Sequence, residues 1–444
     1  MKRPFPLHGI LGILLLFLSE FLFFRKIDPF YSWFYCFAWW SYVLAIDGIV
    51  YRLKGNSLIG SRPGEFFLMI PWSIFIWLIF EAANLSLRNW YYIDLPDSTV
   101  ERWAGYAIAY GTVLPGIFET TELLEALGLF SKARVKNIKL PESGQAPLVF
   151  LGVLCLFSSV YIPNYFFPLI WVGFIFLLEP FNHHFGGQSL LRDVENGNPR
   201  KIYLLLCAGL ICGLLWEFWN FWGLSKWVYT VPFFDRRKGF EMPFLGFLGF
   251  PPFAIQVYVM YNFISLFRFQ RGWEEPSYKL HRDSKTRPLT SVLAGILIVT
   301  FSILIFRAID SNTVGSFYPR LDDAYWIETP YRKELPKVGI NTLDDLLRRT
   351  SERKEKDELA LRLLVPKEDL IRWVERAKLA RLKGVGIQNL RLLEMTGVDS
   401  VAALAAETPD RLYEKMKTLH KRKDLPRKAQ IRIWIKAAKQ EVES

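Results

Sequence analysis

Apolar residues run in long, nearly unbroken stretches as far as about Asp310, and beyond Leu335 they give way to short amphipathic segments separated by turn residues. A helix needs about 20 apolar residues to cross the hydrocarbon core of a bilayer. Nine windows meet or approach that length: 7–24, 30–51, 66–85, 103–130, 147–162, 165–181, 202–222, 242–267 and 289–308. The pattern predicts an all-α protein, a polytopic membrane helix bundle of about nine spans followed by a small soluble helical domain. The expected division is a first membrane repeat unit over 1–145 and a second over 146–270. A basic loop and ninth span (271–310), a linker (311–335) and the soluble domain (336–444) complete the chain.

The order of residues repeats. Trp39, Asp47, Gly55 and Ser57-Leu58 recur as Trp171, Glu179, Gly187 and Ser189-Leu190 at a constant offset of 132. Phe80-Glu81-x-x-Asn84 recurs as Trp216-Glu217-x-x-Asn220 at an offset of 136. Trp90-x-Tyr92 recurs as Trp227-x-Tyr229, and Pro115 with Glu119 as Pro252 with Gln256, both at 137. Each copy carries four of the windows, so a tandem four-helix repeat is expected. An even number of spans per copy gives the two halves the same orientation.

Positive charge sets the orientation. Lys2 and Arg3 precede the first span, which lacks a small-residue cleavage site and contains Glu20, so it is expected to be retained as an anchor. The cluster Lys132, Arg134, Lys136 and Lys139 follows span four, and Arg268, Arg271, Lys279, Arg282, Lys285 and Arg287 follow span eight. The loop with Asp94, Asp97 and Glu101 is acidic. The N-terminus is thus expected in the cytoplasm of a bacterium, the spans in its inner membrane and the C-terminal domain outside. Arg236, Arg237 and Lys238, after span seven, run against that rule.

Composition narrows the classes. With 51% hydrophobic residues and a mean hydropathy of +0.16, the chain is neither a secreted soluble enzyme, a disordered chain nor a collagen-like fibre. The net charge is +12, and from residue 336 onward 25 Lys and Arg stand against 17 Asp and Glu. Cys36, Cys155, Cys207 and Cys212 all fall in apolar runs and read as small core residues. His183 and His184 follow span six without a metal-binding spacing, so no metal and no cofactor is expected.

Candidate chemistry lies in the polar residues of the repeat. An ionisable group at membrane depth costs about 3 kcal/mol or more and usually faces a bundle interior or cavity. Glu81, Glu119 and Glu217 are the candidate acid–base residues; Asp47, Asn84, Trp90, Tyr92, Glu179, Asn220, Trp227, Tyr229 and Gln256 are candidates for binding a substrate or ion. No Lys or Arg lies deep in a predicted span, which leaves these carboxylates without an evident counter-ion. Polar pairs also serve as packing glue between helices, and Trp and Tyr as interfacial anchors.

The first copy reads Phe80-Glu81, Trp90-Tyr91-Tyr92 and Leu114-Pro115-Gly116-Ile117-Phe118-Glu119; the second reads Trp216-Glu217, Trp227-Val228-Tyr229 and Phe250-Pro251-Pro252 with Gln256. This order resembles the membrane-integral lycopene cyclases, whose acids protonate a polyene and steer a carbocation. The resemblance implies such roles for Glu81 and Glu119. It departs from the family where Thr120 follows Glu119, in place of an adjacent acid pair.

In the tail, Leu382-Lys383-Gly384-Val385-Gly386 reads as a hairpin between two helices, followed by Gly397-Val398-Asp399-Ser400-Val401; a partial earlier copy is Val338-Gly339-Ile340-Asn341-Thr342-Leu343. The region 335–439 resembles an uncharacterised bacterial helix-hairpin-helix family. Such hairpins bind nucleic-acid phosphates through backbone amides, here at Lys383, Gly384 and Gly386 with Arg381 and Lys421-Arg422-Lys423 nearby. An external domain meets no nucleic acid, so a protein partner is the expected use.

Three function classes follow. One is a membrane enzyme acting on an apolar isoprenoid or lipid by acid–base chemistry, at a carboxylate-lined site between the repeats. The others are a proton- or cation-coupled transporter, and a scaffold or assembly factor with an interaction tail. Membrane lipids and an apolar small molecule are the implied partners.

Overall fold

In the computed structural model of the protein, residues 4–137, 144–232, 237–268, 272–275, 288–419 and 425–443 are described; of 288–290 only the backbone is. Of the basic clusters named above, Lys2, Arg3, Lys139, Arg236, Arg271, Lys279, Arg282, Lys285, Arg287 and Lys421-Arg422-Lys423 lie outside the described residues. The structure is predominantly helical with a few short strands, and the chain divides into two compact units.

Unit 1 comprises 1–90, 103–224 and 231–311. It holds α1 (Leu7–Phe24), α2 (Phe34–Lys54), α3 (Leu58–Ser61), α4 (Pro63–Leu87), α5 (Thr99–Tyr110) from residue 103 onward, α6 (Val113–Ala126), α7 (Gln145–Tyr161), α8 (Pro163–Phe166), α9 (Ile170–His184), α10 (Leu190–Glu195), α11 (Arg200–Trp222) and α12 (Phe250–Leu266). The helix Pro288–Asn312 begins in this unit. Among the described residues, seven helical stretches are long and apolar enough to cross a membrane: Leu7–Phe24, Phe34–Lys54, Pro63–Leu87, Pro163–His184, Arg200–Trp222, Phe244–Leu266 and Ser291–Asn312. Gln145–Tyr161 is apolar but shorter.

The window expected as a single span over 103–130 is two helices. Pro115 has no N–H to give the Gly111 carbonyl. Ser73 of α4 donates its hydroxyl to Tyr110 O (2.6 Å) and accepts from Leu114 N (3.0 Å), joining through a side chain the two groups an α-helix pairs directly. Gln256 of α12 does the same in α9: its amide accepts from Phe174 N and donates to Ile170 O, both at 3.0 Å.

Close packing at glycines sets two helix pairs. A Cβ on Gly12 of α1 would stand 2.6 Å from Ala45 N of α2, and one on Gly152 of α7 would stand 2.4 Å from Leu177 N of α9. Small residues let backbones approach this closely.

Unit 2 comprises 91–102, 225–230 and 312–444. The strands β1 (Trp90–Ile93) and β2 (Lys226–Tyr229) pair, and within the unit Tyr92 bridges to Val314 and Leu95 to Phe317. Tyr91, Ile93 and Val228 pack with Ile433. The larger core gathers Leu335, Leu343, Leu370, Trp373, Leu390, Leu404 and Trp434 from the amphipathic helices of the tail.

Two tail turns share one geometry. Gly339 (φ 82°) and Gly397 (φ 81°) adopt the left-handed conformation that costs glycine least. The next residue's amide reaches back in each, Ile340 to Leu335 O and Val398 to Leu393 O, both at 3.0 Å. Thr342 and Ser400 then cap the following helices through their hydroxyls. A third turn, at Leu364 (φ 54°), has Val365 N on Ala360 O at 3.0 Å but a leucine where the others have glycine.

Candidate functional site

Unit 1 sorts the expected site residues into groups with different jobs. Asp47 at the end of α2 accepts from Ile59 N (2.6 Å) and the Ser57 hydroxyl (2.8 Å) at the start of α3. Glu179 in α9 accepts from Leu191 N (2.9 Å) and the Ser189 hydroxyl (2.6 Å) at the start of α10. Ser57 and Ser189 are themselves the N-caps of those short helices. Both acids anchor a helix N-terminus, where a negative charge is favoured. Asn84 ends α4: its carbonyl accepts from Asn89 N (2.9 Å) and its amide donates to Trp90 O (2.9 Å), while Arg88 turns the chain at φ 56° into β1. Asn220 is fully buried near the end of α11, and Gln256 serves the helix ladder described above. The chemistry expected of Asn84 and Gln256 is thus occupied by backbone.

Glu81 has a different setting. Its Oε1 accepts from the indole N–H of Trp77 (3.0 Å) and of Trp90 (3.1 Å), and the side chain is fully buried. Trp90 and Phe80 both stack on Trp171, with centroids 6.3 and 5.7 Å away. Phe253 meets Trp77, Phe80, Trp171 and Trp216 edge-on within 6 Å. The Trp39 ring lies 5.3 Å from Trp216, so Trp39 packs on the aromatic residue preceding Glu217 and Trp171 on the one preceding Glu81. Glu217 is fully buried and acts electrostatically on Tyr35. The indole N–H of Trp227 donates to the hydroxyl of Tyr229 (2.8 Å) on β2. Tyr92, on β1, belongs to unit 2.

Glu119 is not beside Trp77 or Trp90. Its carboxyl lies against that of Asp47, with Glu122 and Arg62 exerting charge on it. Folding brings Lys and Arg side chains into this unit, where they bond Glu122, Glu65 and Glu274, acids outside the expected site set. Arg62, only 2% exposed, donates to Glu122 Oε1 (2.5 Å) and to Trp273 O (2.5 Å), and Lys54 meets Glu122 Oε2 at 2.6 Å. His8 Nε2 lies 2.7 Å from Asp47 Oδ2. Further on, Arg268 pairs with buried Glu65 (2.5 Å), which also accepts from the Tyr261 hydroxyl (2.5 Å), and Lys201 meets Glu274 at 2.5 Å. These cations flank the apolar windows in sequence, so window hydropathy hid them. The isolated polar His8 inside the first window was the one local signal available.

Asp193 of α10 has its carboxyl pushed up to about 6, foremost by burial and then by Glu274, against Lys201 and Arg192. His183 accepts from the Gln145 amide (3.0 Å) and bonds Glu195 (2.9 Å). Among the described residues no group of three or more His, Cys, Asp or Glu is arranged to hold a metal ion.

In unit 2 the residues expected to form the hairpin turn the chain between the helices Lys367–Arg381 and Gly386–Met395, with Gly384 at φ 79° and Gly386 at φ 60°. Its glycine faces are covered by the chain itself. A Cβ on Gly386 would stand 2.7 Å from Ser316, one on Gly384 would stand 3.1 Å from the Trp434 indole and 3.5 Å from Ile93, and Asn389 donates to Gly315 O (2.8 Å). Asp94 sits by this turn with its carboxyl pushed up to about 6, foremost by burial, although Arg381, Lys226 and Lys383 pull it down.

Residues 327–441 of this tail match a family model described as a domain of unknown function, DUF4332. No curated protein and no solved structure matches the chain. The DUF4332 match spans the hairpin and both glycine turns and gives them no activity. No similarity of the membrane part to lycopene cyclases is found in these comparisons.

Proposed function

We propose that this is a multi-pass protein of the bacterial inner membrane, built from two like-oriented four-helix repeats and a ninth span. On this reading it processes an apolar isoprenoid or lipid by acid–base chemistry at Glu81, with Glu217 as the matching acid of the second copy. The observation that carries the reading is the seat of Glu81. Two indole N–H groups fix one carboxyl oxygen among stacked and edge-on rings. A carboxyl held this way is equipped to pass a proton to an apolar substrate. Aromatic faces around it attract the cation that results. The likeness in residue order to membrane-integral lycopene cyclases points the same way.

Parity supports the topology. Counting α5 and α6 as one crossing, the three pieces that join in unit 2 follow the third, seventh and ninth crossings, all odd. The N-terminus then lies on the cytoplasmic side and the DUF4332 domain outside, where its covered hairpin serves the protein's own loops and nucleic acid is no partner.

The test is to replace Glu81 and Glu217 by glutamine in the host and profile its lipids and pigments by mass spectrometry. Accumulation of an unprocessed apolar compound is expected, and an unchanged profile overturns the proposal. A proton- or cation-coupled transporter is the second reading, favoured by the buried charges Arg62, Glu122, Glu65 and Arg268 in the same unit. It predicts pH-driven flux in liposomes that depends on those residues, with the lipid profile untouched.

A further inference from the structure

Three donors converge on Asp47 and none on its neighbour. Asp47 Oδ1 takes Ile59 N–H, and Oδ2 takes the Ser57 hydroxyl and His8 Nε2. Glu119 is fully buried against the Asp47 carboxyl, and among the described residues neither of its oxygens has a hydrogen-bond donor. The cations at hand are engaged elsewhere: Arg62 and Lys54 both bond Glu122. Tyr42 and Cys212 face this place from α2 and α11, but both bond Thr120. Two adjacent carboxyl groups away from water do not both stay ionised without a positive charge between them. A proton fits that place, and the donors already on Asp47 assign it to Glu119.

We propose that Glu119 is a proton-binding residue whose O–H points at Asp47, and that His8 is the group through which the proton enters and leaves. His8 is the member of the trio in touch with solvent, its side chain 24% exposed against 0% for Asp47. A proton taken from bulk by the outer ring nitrogen of His8 releases Nε2–H to Asp47 Oδ2, and Asp47 passes a proton on to Glu119; the reverse order empties the pair. Only N–H and O–H bonds change. The placement is built by packing, since a Cβ on Gly9 would stand 2.8 Å from the Gly48 backbone, which draws the adjacent His8 and Asp47 together across α1 and α2. This site does not depend on Glu81 being catalytic.

The test is infrared difference spectroscopy of the full-length protein in lipid nanodiscs at neutral pH, reading the carbonyl stretch of protonated carboxyl groups. Glu119→Gln should remove one such band, while Glu179→Gln leaves it. Where the amide variant does not accumulate, Glu119→Asp should shift the band instead. His8→Gln keeps an N–H for Asp47 but cannot shuttle, so the band should persist with its hydrogen–deuterium exchange slowed about tenfold or more. The proposal is overturned if the wild type lacks the band, if the band survives Glu119→Gln unchanged, or if exchange in His8→Gln keeps the wild-type rate.

Discussion

Asp47 and Glu179 stand 132 residues apart and hold their short helices by the same two bonds, a capping serine hydroxyl and the amide two residues beyond it. Around them the two segments expected to repeat part company. Asp47 also meets His8 and Glu119. Aligned through Gly12 and Gly152, which each press on the partner helix at equivalent residues, the place of His8 is taken by Leu148. The place of Glu119 is taken by Gln256, whose amide is spent on the α9 backbone. Asp94, beyond the strand of the first half, is matched by Val231. The contrast teaches that, between the two segments expected to repeat, the first holds ionisable groups where the second has packing and backbone support.

The largest test of that contrast is Arg62→Ala. It strips a buried guanidinium from buried Glu122 and should cost about 3–5 kcal/mol, seen as a fall in thermal unfolding temperature in detergent. Arg192, in the second half, bonds only the carbonyls of Gly187 and His183, so Arg192→Ala should cost about 1–3 kcal/mol. Equal losses would break the comparison.

Next comes a pair of swaps. Gln256→Glu sets a carboxylate oxygen against Ile170 O and should destabilise by about 2 kcal/mol or more. Glu119→Gln should change stability by less than about 1 kcal/mol, because no hydrogen-bond donor among the described residues is left without its acceptor. The same unfolding measurement reads both.

Asp94 makes the contrast pH-dependent. Its carboxyl is raised on folding to about 6 from an ordinary value of 3.8, so the folded form holds the proton more tightly. The resulting stability is present in full below pH about 4 and is lost as pH rises through about 6. Unfolding at pH 4.5 and 7.5 should show this loss in the wild type, and Asp94→Asn should reduce it.

The smallest effect sits in the tail. Leu364 is 85% exposed and held at φ 54°, in a turn that Gly339 and Gly397 make at their positions without strain. Leu364→Gly should raise stability by about 1 kcal/mol, whereas Gly397→Leu should lower it by a similar amount. A chemical-denaturation midpoint distinguishes the two directions.

What was legible in the sequence was local. Run lengths located the long helices, and the glycine turns of the tail announced themselves by their own conformational demand. The break between α5 and α6 was not legible, because Ser73 on another helix completes it. Asp47 and Glu179 looked like ligands, since nothing in their own windows reveals that the donors are Ile59 and Leu191 beyond the helix end. Arg62, Lys54 and Arg268 stood outside or at the edges of the predicted windows and entered the burial only through folding. Glu81 stands out in the sequence by its place in a membrane window, but that Trp90, a candidate for binding a substrate or ion, supplies one of its indole donors depends on the fold.

Unit 2 cannot be finished early in the life of the chain. Just past β1, Asp94 takes its neighbour Ser316 from 222 residues further on, and Ile93 waits for Ile433 near the end. Without the last helix, the cluster of Tyr91, Ile93 and Val228 lacks Ile433 and the Gly384 turn lacks the Trp434 indole, so the folding of this unit is coupled to its final segment.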